Sequence, residues 1–297
     1  MKLSKLAWAG FMAAALVVPA SANLINEDFE SFALGHVPGG ADPRVAGNGQ
    51  WWNPDNSASY GEVKTGIGRS GSRGIEIGNR GNGNDGVIDN VKTARLSASA
   101  GESGTNSGAG GTSSSFNIFR SSYWFRTAPT SNPSGNFRFR SETYGPDRTS
   151  FLGFQNDTSG NLLARSFGMD GAGNFVATDL NTFLNWGQWY QVTSEVVFVN
   201  GGVANDTVTH RIFDEMGVQV GQDLVSTSWE EGARQFGYNG GTVFSVDAIQ
   251  FHSRGGFAGA HAFVDDIRYE AVPEPMTMSV LALGALAALR KRRQNKA

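Results

Sequence analysis

Apolar and polar residues alternate in short runs from Leu24 to Tyr269, and the alternation is cleanest at Phe137-Arg138-Phe139-Arg140-Ser141-Glu142. A period of two puts Phe137 and Phe139 on one face of a strand and Arg138, Arg140 and Glu142 on the other. Similar runs follow. Phe151 to Phe154 and Leu162 to Phe167 flank a Thr158-Ser159-Gly160-Asn161 turn, which predicts a hairpin. Trp186 to Val199 and Val208 to Phe213 flank Asn200-Gly201-Gly202 and predict a second one. Leu24 to Phe32, Gly74 to Gly78, Phe116 to Arg126, Val243 to His252 and Ala262 to Tyr269 also read as strands. No helical period interrupts them. Many short strands with turn residues between them predict an all-β sandwich or barrel. Two stretches depart from this. Ser97 to Ser115 is nearly all Ser, Gly, Ala and Thr and reads as a surface loop or linker, and Asn79 to Gly86 reads as a hairpin loop.

Composition narrows the picture. The 297 residues include 40 glycines, which supply turns, and 20 phenylalanines, which supply core. There is no cysteine, so neither a disulfide framework nor a thiol nucleophile nor a thiolate metal ligand is available. A net charge of −3 gives no polyanion-binding signal, and nucleic acid is not an expected partner.

The two ends carry a different pattern. Lys2 and Lys5, the apolar Leu6 to Val18 and the small residues Ala20-Ser21-Ala22 form a secretory signal peptide, with cleavage expected after Ala22. At the other end, Pro273-Glu274-Pro275 resists helix, residues 276–289 lack any charge, and Arg290-Lys291-Arg292-Arg293 follow. About 14 residues make roughly 21 Å of helix, short against a hydrocarbon core of ~30 Å but adequate for a transient transmembrane segment with its basic end cytoplasmic. A docked C-terminal helix is the plainer alternative. This tail closely resembles the PEP-CTERM sorting signal of Gram-negative bacteria. The resemblance implies an exported protein, recognised by a membrane exosortase and sorted to the surface of cells that make exopolysaccharide and biofilm. Three regions are therefore expected: a signal peptide (1–22), one β-sandwich domain (23–270) and a sorting segment (271–297).

A second resemblance spans the middle. Glu27-Asp28-Phe29-Glu30, Trp189-Tyr190-Gln191-Val192 and Phe263-Val264-Asp265-Asp266-Ile267-Arg268 are similar to concanavalin-A-like jelly rolls. The resemblance implies that the first and last strands are neighbours. It also implies a structural calcium held by Asp28 and Asp265, two residues that otherwise read as surface or turn carboxylates. Laminarinase-like members carry Glu-x-Asp-x-x-Glu on one strand, and that motif is absent here. One lyase family of this fold uses an Arg-x-Glu-x-Arg strand, a Gln-x-His strand and a later Tyr-x-Lys strand. Arg140-Ser141-Glu142 and Gln250-Phe251-His252 echo the first two, but Tyr144 stands at the second Arg and no third motif follows His252.

Two functional classes follow. The first is a non-catalytic, lectin-like module that binds extracellular polysaccharide. Trp51, Trp52 and Trp124 would stack on sugars, with Tyr60, Trp229 and Tyr238 as further aromatics. Arg138, Arg140 and Glu142 would supply hydrogen bonds. The second is a polysaccharide lyase or glycoside hydrolase with a divergent site, resting on Arg140, Glu142, Gln250 and His252. The missing acid motifs favour the first. The remaining histidines, His36, His210 and His261, show no metal spacing.

Overall fold

The structure is a computed structural model that describes residues 23–37, 51, 60–78, 89–102, 114–129, 137–144, 148–169, 172–202, 204–231, 245–254 and 261–272. The signal peptide, the whole of 273–297, Trp52, Tyr238 and most of the Asn79 to Gly86 and Ser97 to Ser115 stretches lie outside these residues. Among the described residues no helix is long and apolar enough to cross a membrane.

The fold is all-β, as the period-two patterning predicts, and its two large sheets pack face to face as a sandwich. The first strands are β1 (Asn23–Glu27), β2 (Gly35–His36), β3 (Tyr60–Thr65), β4 (Arg73–Gly78) and β5 (Asp89–Lys92). Next come β6 (Ser99–Gly101), β7 (Ser114–Phe116), β8 (Ile118–Thr127), β9 (Arg138–Tyr144) and β10 (Arg148–Asn156). The series continues with β11 (Leu162–Met169), β12 (Phe175–Asp179), β13 (Tyr190–Val197) and β14 (Thr207–Phe213). It ends with β15 (Leu224–Ser226), β16 (Ser245–Val246), β17 (Ala248–Arg254) and β18 (His261–Val272). The large sheet has the order β15-β14-β13-β8-β18-β4-β3-β2, with β1 also on β18. The smaller sheet has the order β12-β11-β10-β9-β17-β5, and a third, small sheet runs β16-β6-β7.

Both predicted hairpins form, β10–β11 and β13–β14. The first and last strands pair as expected, with Ile25 opposite Tyr269. Two readings need correcting. The opening strand stops at Glu27 rather than reaching Phe32, because Phe29 is fully buried with φ 62° and turns the chain. The Ser/Gly-rich stretch is not loop throughout: Ser99 and Ser114, near its two ends, are partners in the parallel pair β6–β7.

Aromatic residues join the two large layers. Phe125 of β8 lies 4.9 Å from Phe139 of β9 and 4.2 Å from Phe154 of β10, measured between ring centroids. Tyr123 meets Phe251 of β17 at 5.1 Å, and its hydroxyl donates to Ser141 Oγ at 2.6 Å. These residues occupy alternate positions on their strands, so the intervening residues of the smaller sheet face outward. A buried Arg95–Asp247 pair at 3.3 Å ties the β5–β6 connection to the β16–β17 corner.

β18 is the long strand of the molecule and carries a bulge. Its partner on one edge changes from β4 (residues 261–264) to β1 (residues 267–271). Between them the pairing with β8 slips by one residue, and Asp266 sits at φ 47°.

Candidate active site

Register across the smaller sheet assembles one polar face. Gln250 stands opposite Glu142 on one side and Lys92 on the other, so these three share a row across β9, β17 and β5. His252 likewise stands opposite Arg140 and Asn90. The first row continues through Phe151 and Phe167 to Ala177, and the second through Gly153 and Arg165 to Asp179. Partners in a register share a face of the sheet. All these residues alternate with core residues such as Phe139 and Phe251, so the face is the outer one.

The Arg-x-Glu and Gln-x-His fragments thus come together on adjacent strands. His252 Nε2 lies 2.8 Å from Glu142 Oε2 and 2.5 Å from Gln250 Nε2. A ring nitrogen carrying its proton donates to the carboxylate, and the Gln250 amide then suits it with its oxygen end turned inward. That tautomer leaves Nδ1 as the basic nitrogen, held in place by a carboxylate behind the ring. Glu142, Gln250 and His252 are all at least nine-tenths buried. The solvated face that alternation alone allows for Glu142 is therefore not what forms.

Two residues complete the cluster that the sequence did not point to as a pair. Lys92 Nζ donates to the Tyr144 hydroxyl and lies 3.7 Å from the centre of its ring. Lys92 is 6% exposed, and its ammonium is placed to compensate negative charge on the phenolic oxygen. The Tyr-x-Lys strand sought after His252 is absent, but a tyrosine and a lysine meet here from β9 and β5. Sequence order hid this, since Lys92 and Tyr144 are 52 positions apart. Arg140 stands beside His252 with its guanidinium 5.5 Å from the Phe167 ring centre. Gly153 makes room for that ring, because a Cβ there would come within 2.9 Å of Phe167 Cε2.

The other expectations fare differently. Trp51 is 3% exposed and packs edge-on against Phe29 at 5.1 Å, so it is core and offers no sugar-stacking surface. Trp124 lies on the outer face of the opposite sheet, with the Arg69 guanidinium 3.4 Å over its ring. It cannot share a groove with Arg138, Arg140 and Glu142, which stand on the other side of the sandwich. Trp229 is buried against Phe198. Trp52 and Tyr238 fall outside the described residues, as does the Tyr60 side chain.

The two acids named for calcium each accept main-chain N–H bonds. Asp265 Oδ2 accepts from Arg69 at 2.6 Å and Oδ1 from Asp266 at 2.8 Å, while Asp28 Oδ1 accepts from Glu30 at 3.1 Å. Burial raises the Asp265 pKa, and backbone bonds from Arg69, Asp266 and Ser70 oppose that rise. Among the described residues, the acids whose oxygens converge within 4.8 Å are instead Glu102, Asp206 and Glu230. Glu230 Oε2 there accepts the N–H groups of Asn205 and Asp206.

No family model and no curated protein matches the chain. Solved structures do resemble it in fold at low identity. An alginate lyase, Aly36B, bound to an alginate trisaccharide is 13% identical, covers 84% of this chain and 98% of that one, and gives a TM-score of 0.47. The endo-β-1,4-glucuronan lyase of the fungus Trichoderma reesei is 14% identical over 77% and 94% of the two chains, with a TM-score of 0.44. The globular domain of calreticulin from T. cruzi is 8% identical over 93% and 100%, with a TM-score of 0.42.

Proposed function

We propose that the outer face of the smaller sheet is the active site of a polysaccharide lyase acting on a uronate-containing chain. The observation that carries this is the buried Glu142–His252–Gln250 contact, with Arg140 beside it, Lys92 in the row of Glu142 and Gln250, and Tyr144 in the next row bonded to Lys92. β-Elimination at a uronate needs three things: neutralisation of the C5 carboxylate, a base for the C5 proton and an acid for the departing oxygen. Arg140 and Gln250 suit the first. His252 Nδ1, with Glu142 fixing the ring, suits the second. Tyr144, with Lys92 against its oxygen, suits the third. The C5–H electrons become the C4=C5 double bond, the C4–O bond breaks, and the leaving oxygen takes the phenolic proton. No metal ion takes part in this scheme.

Hydrolysis fits less well. It needs two carboxyl groups ~5–10 Å apart across the bond. The described carboxylates of this face are Glu142 and Asp179, which sit on strands three spacings apart, or roughly 14 Å. Asp179 is moreover engaged by Arg165 at 2.9 Å. The lectin-like reading loses Trp51 and Trp124, its two described aromatic anchors, so the catalytic alternative takes its place.

The same proposal keeps the export route. The signal peptide and the Pro273-Glu274-Pro275 tail support a substrate met outside the cell, where exopolysaccharide is found. A calcium at Asp28 and Asp265 belongs with the concanavalin-A-like expectation. Its support is the sequence resemblance, and a calcium-dependent rise in melting temperature abolished by Asp28→Ala is its test.

The enzyme test is direct. Purified protein is given alginate, glucuronan and a neutral β-glucan, and unsaturated uronate is followed by ultraviolet absorbance. Product is expected from a uronate polymer alone. His252→Ala and Tyr144→Phe are each expected to lower kcat by on the order of a hundredfold or more. Reducing ends without unsaturation, or full activity in His252→Ala, would sink the proposal.

A further inference from the structure

An aromatic run crosses the same face beyond the reactive cluster. Phe151 of β10 stands in the row of Glu142, with its ring 6.2 Å from Phe167 of β11 and 5.8 Å from Phe175 of β12. The three rings step outward: Phe151 is buried, Phe167 half-buried and Phe175 51% exposed. Strand alternation puts Phe175 on the face of Phe167 and Asp179, because Met169–Phe175, Phe167–Ala177 and Arg165–Asp179 are successive same-face partners. Of the large apolar side chains that stand exposed among the described residues, Phe175 is the one on this face. Leu24, Leu34, Phe183, Val199, Met216, Val218 and Val225 lie on other elements, and Val176 points to the opposite side of β12.

The Phe175 ring packs on Phe151 with one side and keeps about half of its surface in water on an edge strand. Beside a polar row, it suits a ligand with an apolar face and a polar rim. A pyranose ring is such a ligand: its C–H face stacks on an aromatic ring while its hydroxyls and carboxylate point sideways. The polar partners stand alongside. Arg165, held by Asp179 through two contacts of 2.9 and 3.0 Å, stands on the neighbouring strand next to Phe167. Phe175 stands two residues along β12 from the row of Glu142, and the backbones of β9 and β12 lie three strand spacings, about 14 Å, apart. That exceeds the length of one sugar unit, so the ring would meet a residue of the chain distant from the bond being broken.

We infer that Phe175, supported by Phe167 and Phe151, is a stacking platform that holds a distal sugar of a polymeric substrate. The inference rests on the site reading above, and it adds a preference for long chains over short ones. Continuity of the face with the Glu142–His252 cluster identifies the occupant as the same polysaccharide.

The test uses Phe175→Ala, with Val176→Ala as a control on the same strand but the other side. Alginate and glucuronan are offered both as polymers and as trisaccharides, to active protein for kinetics and to His252→Ala for affinity electrophoresis. Phe175→Ala is expected to raise KM for polymer by roughly tenfold, the loss of about one aromatic contact, with kcat and the trisaccharide constants unchanged. Val176→Ala is expected to change neither. Unsaturated product with no dependence on Phe175 would overturn the platform and leave the lyase standing. Phe175-dependent retention without product from the active protein would keep the platform and overturn the lyase. Absence of retention in both His252→Ala and the active protein would overturn the platform.

Discussion

At the scale of single residues, the histidines divide by what surrounds them. His210 shares the core face of β14 with Val208 and Ile212 and is bonded through Nδ1 to Ser194 at 2.7 Å. Its Nε2 is buried with no hydrogen-bond partner among the described residues, and burial pushes its pKa down from 6.5 to about 4. The unfolded chain takes up this proton near pH 6.5, and the folded protein only near pH 4. Stability from this residue is therefore complete above pH 6.5 and lost as the pH falls through that window. Glu27 works the other way, with a pKa raised from 4.5 to about 7 by burial first and by Asp28 second. The folded state holds that proton longer, so its contribution is lost as the pH rises from 4.5 to 7. His210 is fully enclosed while Glu27 keeps part of its surface in water, so the histidine should dominate. Denaturant titrations at pH 7 and pH 4.5 are expected to show wild type losing roughly 2 to 3 kcal/mol more than His210→Gln. Parallel curves for the two proteins would contradict this.

At the scale of elements, β18 is held to its surroundings by its bulge. Asp265 presents one carboxylate oxygen to the N–H of Arg69 and the other to that of Asp266, while Ser70 Oγ donates to Asp266 Oδ1 at 2.5 Å. The β3–β4 connection is thus fastened where β18 exchanges β4 for β1. The same connection is gripped from the other side by Glu30, which accepts the Arg73 N–H at 2.7 Å. Asp265→Ala leaves a main-chain donor and the bulge without their acceptors and is expected to cost about 1–3 kcal/mol. Asp265→Asn keeps one acceptor oxygen and should fall between. Urea midpoints of the three proteins at one pH check the order. The sequence made the neighbouring of first and last strands legible through its Asp-Phe and Asp-Asp-Ile fragments. It gave no sign of the bulge, because a one-residue slip depends on what β8 offers opposite, not on the local pattern of β18.

At the scale of the whole molecule, the outer faces of the two sheets differ in charge balance. On the large sheet, Arg120 is paired with Glu195 at 2.7 Å and Arg211 with Asp223 at 2.9 Å. On the smaller sheet, the described Lys, Arg and carboxylate side chains of the outer face are Lys92, Arg138, Arg140 and Arg165 against Glu142 and Asp179. The chain is acidic overall at −3, so this cationic surplus is local. Alternation along Phe137–Glu142 already put Arg138, Arg140 and Glu142 together. Pairing across strands, which a linear pattern does not encode, decided that Lys92 and Arg165 join them and that Trp124 does not. A polyuronate should feel this local field rather than the net charge, and screening should weaken it as the Debye length shrinks from ~10 Å at 0.1 M salt toward ~3 Å at 1 M. KM for a uronate polymer is therefore expected to rise with salt while kcat changes little. Arg138→Gln, at the rim of the face and two positions from Arg140, should flatten that slope. Arg120→Gln, on the far side of the sandwich, removes the same charge from the molecule and should leave the slope as it is. Equal flattening by both would mean that net charge, not the face, attracts the substrate, and the cationic surface would then have no part in recognition.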